Sequence, residues 1–290
     1  MRAIAWLVPS ALAAGAASLA ADDDAADAAR HCLRQAVERQ GPFDPAKLED
    51  VRLEFRGQVR EESEHWVART YAYRLRDRSF RLRTTSKADS AAFSERGVFG
   101  EDGFWDRDSK GAVRALSPGN ESDEGEMDTI ARERADFEDV LRLVFLRRLD
   151  DARSRVRFAE PATAKLAADR PKNPTQILGA TRGDEYRVLV VERDGLPRIT
   201  LYVHAGNGSV PKAVVHSRAR PDEAAWVYYF GAYTKGDAAT QGVPVPRLIS
   251  IHREEPVDPE SAERGVKAWG EVTITLNAGL EDADLMPASR

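Results

Sequence analysis

Tyr186–Arg193 (YRVLVVER), Ile199–His204 (ITLYVH), Lys212–Ser217 (KAVVHS), Ala225–Tyr233 (AWVYYFGAY), Arg247–His252 (RLISIH) and Val266–Leu276 (VKAWGEVTITL) follow one another with only turn signals between them. Asp194-Gly195 and Gly206-Asn207-Gly208 are tight-turn dipeptides and tripeptides, and Gly236–Gly242 is a glycine-bounded loop. The segments are short and rich in β-branched and aromatic residues, which is how consecutive antiparallel strands read. No segment with helical period separates them, so a parallel α/β sheet is excluded and a large meandering sheet is expected.

The same alternation appears upstream. Val51, Leu53, Phe55, Gly57 and Val59 interleave with Arg52, Glu54, Arg56 and Gln58, the pattern of a half-buried strand. His65–Arg76 and Ser79–Thr85 read as a second and third strand around a turn at Asp77-Arg78. Gly97–Asp106 reads as a hairpin and Val113–Leu116 as a further strand. Two helices are predicted. Asp22–Gln40 carries Ala25, Ala29, Cys32, Leu33, Ala36 and Val37 at helical spacing and stops at Gly41-Pro42; Glu126–Arg153 carries Ile130, Phe137, Leu141 and their neighbours, as one helix or as two with a break near 134–136. Pro118–Gly125 is expected to be an acidic loop, and Ala159–Pro174 a surface connection or short helix.

Composition narrows the function. Of 290 residues, 43 are Lys or Arg and 48 Asp or Glu, a net charge of -5 that argues against a nucleic-acid binder. Arg69, Arg74, Arg76, Arg78, Arg81 and Arg83 make one hairpin basic, but they fall on both strand phases and read as a solvated face. Arg2, the Ala-rich apolar run Ile4–Leu19 and Ser18-Leu19-Ala20 form a signal-peptide pattern, with cleavage expected after Ala20 and a single domain over 21–290. A periplasmic or secreted location follows, with no membrane span in the mature chain. The one cysteine, Cys32, permits no internal disulfide. Catalytic and metal motifs are not evident: His31, His65, His204, His216 and His252 form no ligand spacing, although His204 and His216 could approach across a hairpin, and no nucleophile elbow or phosphate loop occurs. No enzyme activity, metal or cofactor is expected.

The order of elements resembles the periplasmic lipoprotein-carrier superfamily (LolA/LolB-like) over roughly Asp22 to Pro287. The residues that carry the resemblance are Arg76–Leu82 (RDRSFRL), the turn and aromatic strand Gly100–Trp105 (GEDGFW), the run Asp184–Val203 with Gly206–Val215, the Gly242–Pro246 loop (GVPVP), and Trp269–Asn277 with Asp282–Pro287. The resemblance implies an α+β, mostly antiparallel fold: a strongly curved half-barrel sheet closed by amphipathic helices, its concave face binding the acyl chains of a lipid or lipoprotein. Alternation then nominates Leu53, Phe55, Phe80, Leu82, Trp105, Leu201, Trp226, Tyr228, Phe230 and Ile251 as the apolar lining, with Ile130, Phe137 and Leu141 on the lid. Arg76 matches the arginine with which the family's carriers tether the lid, although Asp77 stands where those carriers have proline. The implied partners are a lipid or acylated lipoprotein and envelope membrane proteins, no nucleic acid, and the expected form is a monomer. The alternative is a non-carrier interaction or envelope-sensing module of the same shape.

Overall fold

A computed structural model describes residues 11–41, 43–60, 64–86, 93–108, 110–165, 185–252 and 266–287. Residues 1–10 of the predicted signal peptide and 166–174 of the predicted connection lie outside these. The first six strands are β1 (Asp50–Arg60), β2 (Glu64–Arg74), β3 (Ser79–Ser86), β4 (Phe93–Phe99), β5 (Gly103–Arg107) and β6 (Val113–Ala115). The remaining seven are β7 (Arg155–Lys165), β8 (Glu185–Glu192), β9 (Ile199–His204), β10 (Lys212–His216), β11 (Ala224–Gly231), β12 (Leu248–His252) and β13 (Val266–Leu276). They form one 13-stranded curved open sheet in the order β6-β5-β4-β3-β2-β1-β13-β12-β11-β10-β9-β8-β7, with antiparallel pairing throughout.

This order is two meanders joined at one seam. The first runs outward from β1 to β6 and the second runs inward from β7 to β13, and β1 pairs with β13 between them. The topology therefore obliges the chain to travel from one edge of the sheet, β6, to the other, β7. Helix α2 (Glu121–Val144) and the short 3-10 turn Leu146–Arg148 make that journey. The helix buries Ile130, Phe137, Leu141, Leu143 and Val144, and the apolar stripe joins Val51, Leu53, Phe55, Phe80 and Leu82 in the main core. Helix α1 (Ala11–Arg39) adds Ala29, Cys32, Leu33, Ala36 and Val37 to the same core and packs on β7 and β9. Cys32 is a free, buried thiol, and desolvation pushes its pKa up.

Three expectations need correction. Helix α2 begins at Glu121, so 121–125 are helical rather than loop: the Asn120 side chain caps Ser122 N, and Glu121, Asp123 and Glu124 place negative charge at the positive end of the helix. The helix is a single one, unbroken at 134–136 as one of the two readings has it, but it ends at Val144 rather than at Arg153. Residues 159–165 continue β7 through Pro161, which the strand tolerates because it is an edge and its register shifts between Phe158 and Thr163.

The C-terminal tail covers the opposite, convex face. Helix α3 (Asp282–Leu285) places Leu285 with Leu280 against Ala72. The hairpin arginines hold it there. Arg74, only 4% exposed, bonds both Asp77 and Asp282, and Arg81 donates to the Asp284 carbonyl at 3.0 Å. The basic hairpin is thus divided by strand phase, and on its convex side Arg74 and Arg81 are held under the tail while Arg83 stays half-exposed.

His252 is 2% exposed on this convex side, its Nε2 2.9 Å from Ser250 Oγ and its ring edge-on to Tyr229. Burial, with the charge of Lys212, holds its pKa down at about 4 instead of 6.5. Between those values the unfolded chain binds a proton that the folded ring does not, so this term lowers stability as pH falls from 6.5 towards 4. The loss reaches about 3 kcal/mol at most. Urea midpoints measured against pH should show a shallower acid limb in His252→Gln than in the parent; identical slopes would refute this assignment.

Candidate functional site

Antiparallel partners share a face, so the register sorts every strand residue. One row runs Val59–Ala268–Ile251–Tyr228–Ala213–Leu201–Leu189 across seven strands, all on the concave side. A second runs Ile274–Leu53–Tyr71–Leu82, and a third Val272–Phe55–Arg69. Where α2 bridges the middle of these rows it does not fill the space beneath it. A cavity of about 290 Å³ lies there. Its floor is Leu53, Phe55, Val59, Ala268, Val272, Ile249 and Ile251; its walls are Tyr71, Leu82, Trp226 and Tyr228; Phe137 and Val140 of α2 form the roof. The volume is about twice that of an engineered apolar cavity of roughly 150 Å³ that admits benzene, and sits near the low end of roughly 300–1,000 Å³ for ligand pockets.

Aromatic packing shapes the space. Tyr71 stacks on Phe137 with centroids 5.2 Å apart, and Phe137 also meets Tyr73 at 5.8 Å and Phe80 at 5.9 Å. Tyr228 stacks on Phe230 at 6.1 Å. One α2 ring thus packs on three sheet rings, stacked on Tyr71, edge-on to Tyr73 and tilted against Phe80.

Three charged side chains also line the cavity: Arg69 from β2, and Glu133 and Asp136 from α2. Glu133 is bonded by Arg96, which also holds Glu126 at 3.2 Å; burial raises the Glu133 carboxyl and Arg96 opposes the rise. Burial pushes Asp136 up from 3.8 to about 6, with Asp139 and Glu133 adding to the rise and the Trp226 indole N–H opposing it. A carboxyl with a raised folded pKa costs stability once it ionises, here as pH rises from 3.8 through 6. Asp136→Asn is therefore expected to stabilise the protein by about 1–3 kcal/mol above pH 6. The gain should shrink to nothing in acid, and a variant whose urea midpoint tracks the parent at every pH would refute the burial of this charge.

Of the residues nominated from sequence, Leu53, Phe55, Leu82, Trp226, Tyr228 and Ile251 lie on the cavity wall, with Phe137 above them. Phe80, Leu201 and Phe230 face the concave side but are packed in the core away from the cavity, as are Ile130 and Leu141 of α2. Trp105 is a correction. The row Arg52–Ala72–Arg81–Gly97–Trp105 puts it on the convex face, and Phe104 is the residue of β5 that packs inward. Its hairpin offered two adjacent aromatics, and alternation alone could not say which pointed in. Arg76 is a second correction. It lies exposed in the turn between β2 and β3, while Arg78, at φ 56, swings back to bond both carboxylate oxygens of Glu138 on α2 at 2.9 and 3.1 Å. Tyr73 donates to the same carboxylate at 2.7 Å. Val59, Ile249, Ala268 and Val272 continue alternations already visible in sequence; Arg69, Glu133 and Asp136 carried no apolar signal and were missed.

The histidine pairing weighed from sequence does not form. His204 accepts from Gly206 N and Asn207 N at one end of the β9–β10 hairpin, and His216 bonds Thr200 and Arg198 at the other. Among the described residues no group of three His, Cys, Asp or Glu could hold a metal ion, and no helix is long and apolar enough to cross a membrane.

No protein-family model matches the chain, and neither does any curated protein. Among solved structures the chain is similar to a DUF1329 family protein from Desulfovibrio piger, at 10% identity and TM-score 0.44, with 90% of this chain and 97% of that one covered. It is similar to a LolA superfamily protein from Nitrosomonas europaea, at 12% identity and TM-score 0.44, covering 89% and 97%. It is also similar to a putative outer membrane lipoprotein-sorting protein domain from Vibrio parahaemolyticus, at 9% identity and TM-score 0.42, covering 90% and 97%. The chain's own strand register makes it a mostly antiparallel α+β half-barrel with α2 laid across its concave face.

Proposed function

We propose that the protein is exported to the periplasm or secreted after removal of residues 1–20, and that it binds one acyl chain of a lipid or lipoprotein in the cavity under α2. The observation that carries this reading is the 290 Å³ space itself, lined mostly by apolar side chains from six strands and roofed by Phe137 and Val140. Each methylene moved from water into such a space contributes about 0.8 kcal/mol, so a chain is the ligand that gains most from it. The size favours a single chain; a multiply acylated anchor would require α2 to lift. Arg78–Glu138 and the Arg96 pairs to Glu126 and Glu133 are the contacts that such a movement would break. Their arginine ends reach solvent, so they add little beside the apolar stripe of Ile130, Phe137 and Leu141 that α2 buries in the core.

The test is extraction of the natively purified protein with organic solvent and mass spectrometry of the extract, with uptake of a fluorescent acyl probe in parallel. Near-stoichiometric lipid or acylated peptide is expected, and Val272→Trp, which fills the floor, should abolish probe uptake. A clean extract together with no uptake would sink the acyl-binding reading and leave the interaction or envelope-sensing module in its place.

A further inference from the structure

The charges at the cavity do not cancel. Glu126 and Glu133 share Arg96, and Arg69 bonds the Tyr71 hydroxyl and lies against Glu133. Asp139, the next carboxylate along α2, is paired to Arg142. Asp136 is different. Among the described residues no arginine or lysine bonds it, and its partner is the indole N–H of Trp226; Arg132, one turn away on the same helix, acts on it only through space. This carboxylate lines the same space as Trp226, Tyr228, Tyr71 and Phe137. Tyr228 is buried close enough to Asp136 for that charge to help raise its own pKa. A carboxylate set among aromatic faces, with no cation of its own, is a site that favours a positive ligand group, through charge and through the electron-rich ring faces.

From this placement we propose that the cavity selects an amphiphile whose head is an ammonium, seated between Asp136 and Trp226 with its chain running over Leu53, Phe55 and Val272. The inference rests on the chain-binding reading above and adds the chemistry of the head. A carboxylate head would meet Arg69 but also both Glu133 and Asp136, a lining with one negative charge in excess, and be disfavoured. A neutral head would leave the Asp136 charge desolvated with only the Trp226 indole N–H to answer it.

The test is isothermal titration of the purified protein at neutral pH with three chain-matched probes: octylammonium, octanol and octanoate. Octylammonium is expected to bind about tenfold tighter than octanol, and octanoate most weakly. Asp136→Asn should remove that roughly tenfold advantage, so that octylammonium binds no tighter than octanol. Asp139→Asn, whose carboxylate is already held by Arg142, should keep the advantage. Equal binding of octylammonium and octanol by the parent, or an advantage that survives Asp136→Asn, would overturn the ammonium inference while the chain-binding reading stands. Binding of none of the three would overturn both.

Discussion

Replacing Glu95 with glutamine is expected to cost the folded state about 3–5 kcal/mol. Glu95 is 1% exposed on the convex face of β4. Its carboxylate takes Arg81 at 2.7 Å, Arg107 at 3.3 Å and Arg83 at 3.5 Å. The register explains the convergence, because Glu95 pairs directly with Arg83 on one side and Arg107 on the other, while Arg81 is its diagonal neighbour. Removing the one negative charge leaves three guanidiniums facing each other over a largely covered patch, which is the costly way to break a buried ion pair. The effect should extend to the tail, since Arg81 also holds the Asp284 carbonyl. Urea unfolding monitored by circular dichroism would read it as a lower midpoint at unchanged slope. A second variant separates charge from packing: Glu95→Leu combined with Arg81→Met should recover part of the loss. A shift below about 1 kcal/mol in Glu95→Gln would place this cluster with ordinary surface ion pairs.

Gly57→Ala is expected to destabilise by about 3 kcal/mol or more. Gly57 and Gly270 face each other across the seam of β1 and β13, the one junction that joins the two meanders. A Cβ on Gly57 would stand 2.1 Å from the Trp269 carbonyl oxygen and 2.6 Å from the Gly270 Cα; one on Gly270 would stand 2.3 Å from the Arg56 carbonyl oxygen. These obstacles are backbone, so only separation of the strands relieves them. The same pair lies beside the cavity floor, between Phe55 and Val59 on one strand and Ala268 and Val272 on the other. Hydrogen exchange should therefore show loss of protection along β1 and β13 together, with a lower urea midpoint. A variant that keeps both would show that the close approach is not required.

Strand-rich meanders at both ends, a helix with an inward stripe at Ile130, Phe137 and Leu141, and the alternation that places Leu53 and Phe55 on one face were determined by the sequence alone. Each is a local matter, in which side-chain period and turn chemistry are set within a few residues. Ile199–His204 and Val266–Leu276 were legible to the residue for that reason. Where the chemistry depends on which strands meet, sequence was silent. Trp105 and Phe104 are neighbours in the chain, and only the row through Gly97 and Arg81 sends one outward and the other inward. Arg74, Arg76 and Arg78 look alike in a basic hairpin, yet one is buried under the tail, one is exposed and one ties α2. The β1–β13 seam, the crossing of α2 from edge to edge, the void beneath it and the unbalanced charge of Asp136 were decided by the tertiary structure. They arise from contacts between residues far apart in the chain, from Tyr71 against Phe137 to Val51 against Leu276, whose closeness no local pattern encodes.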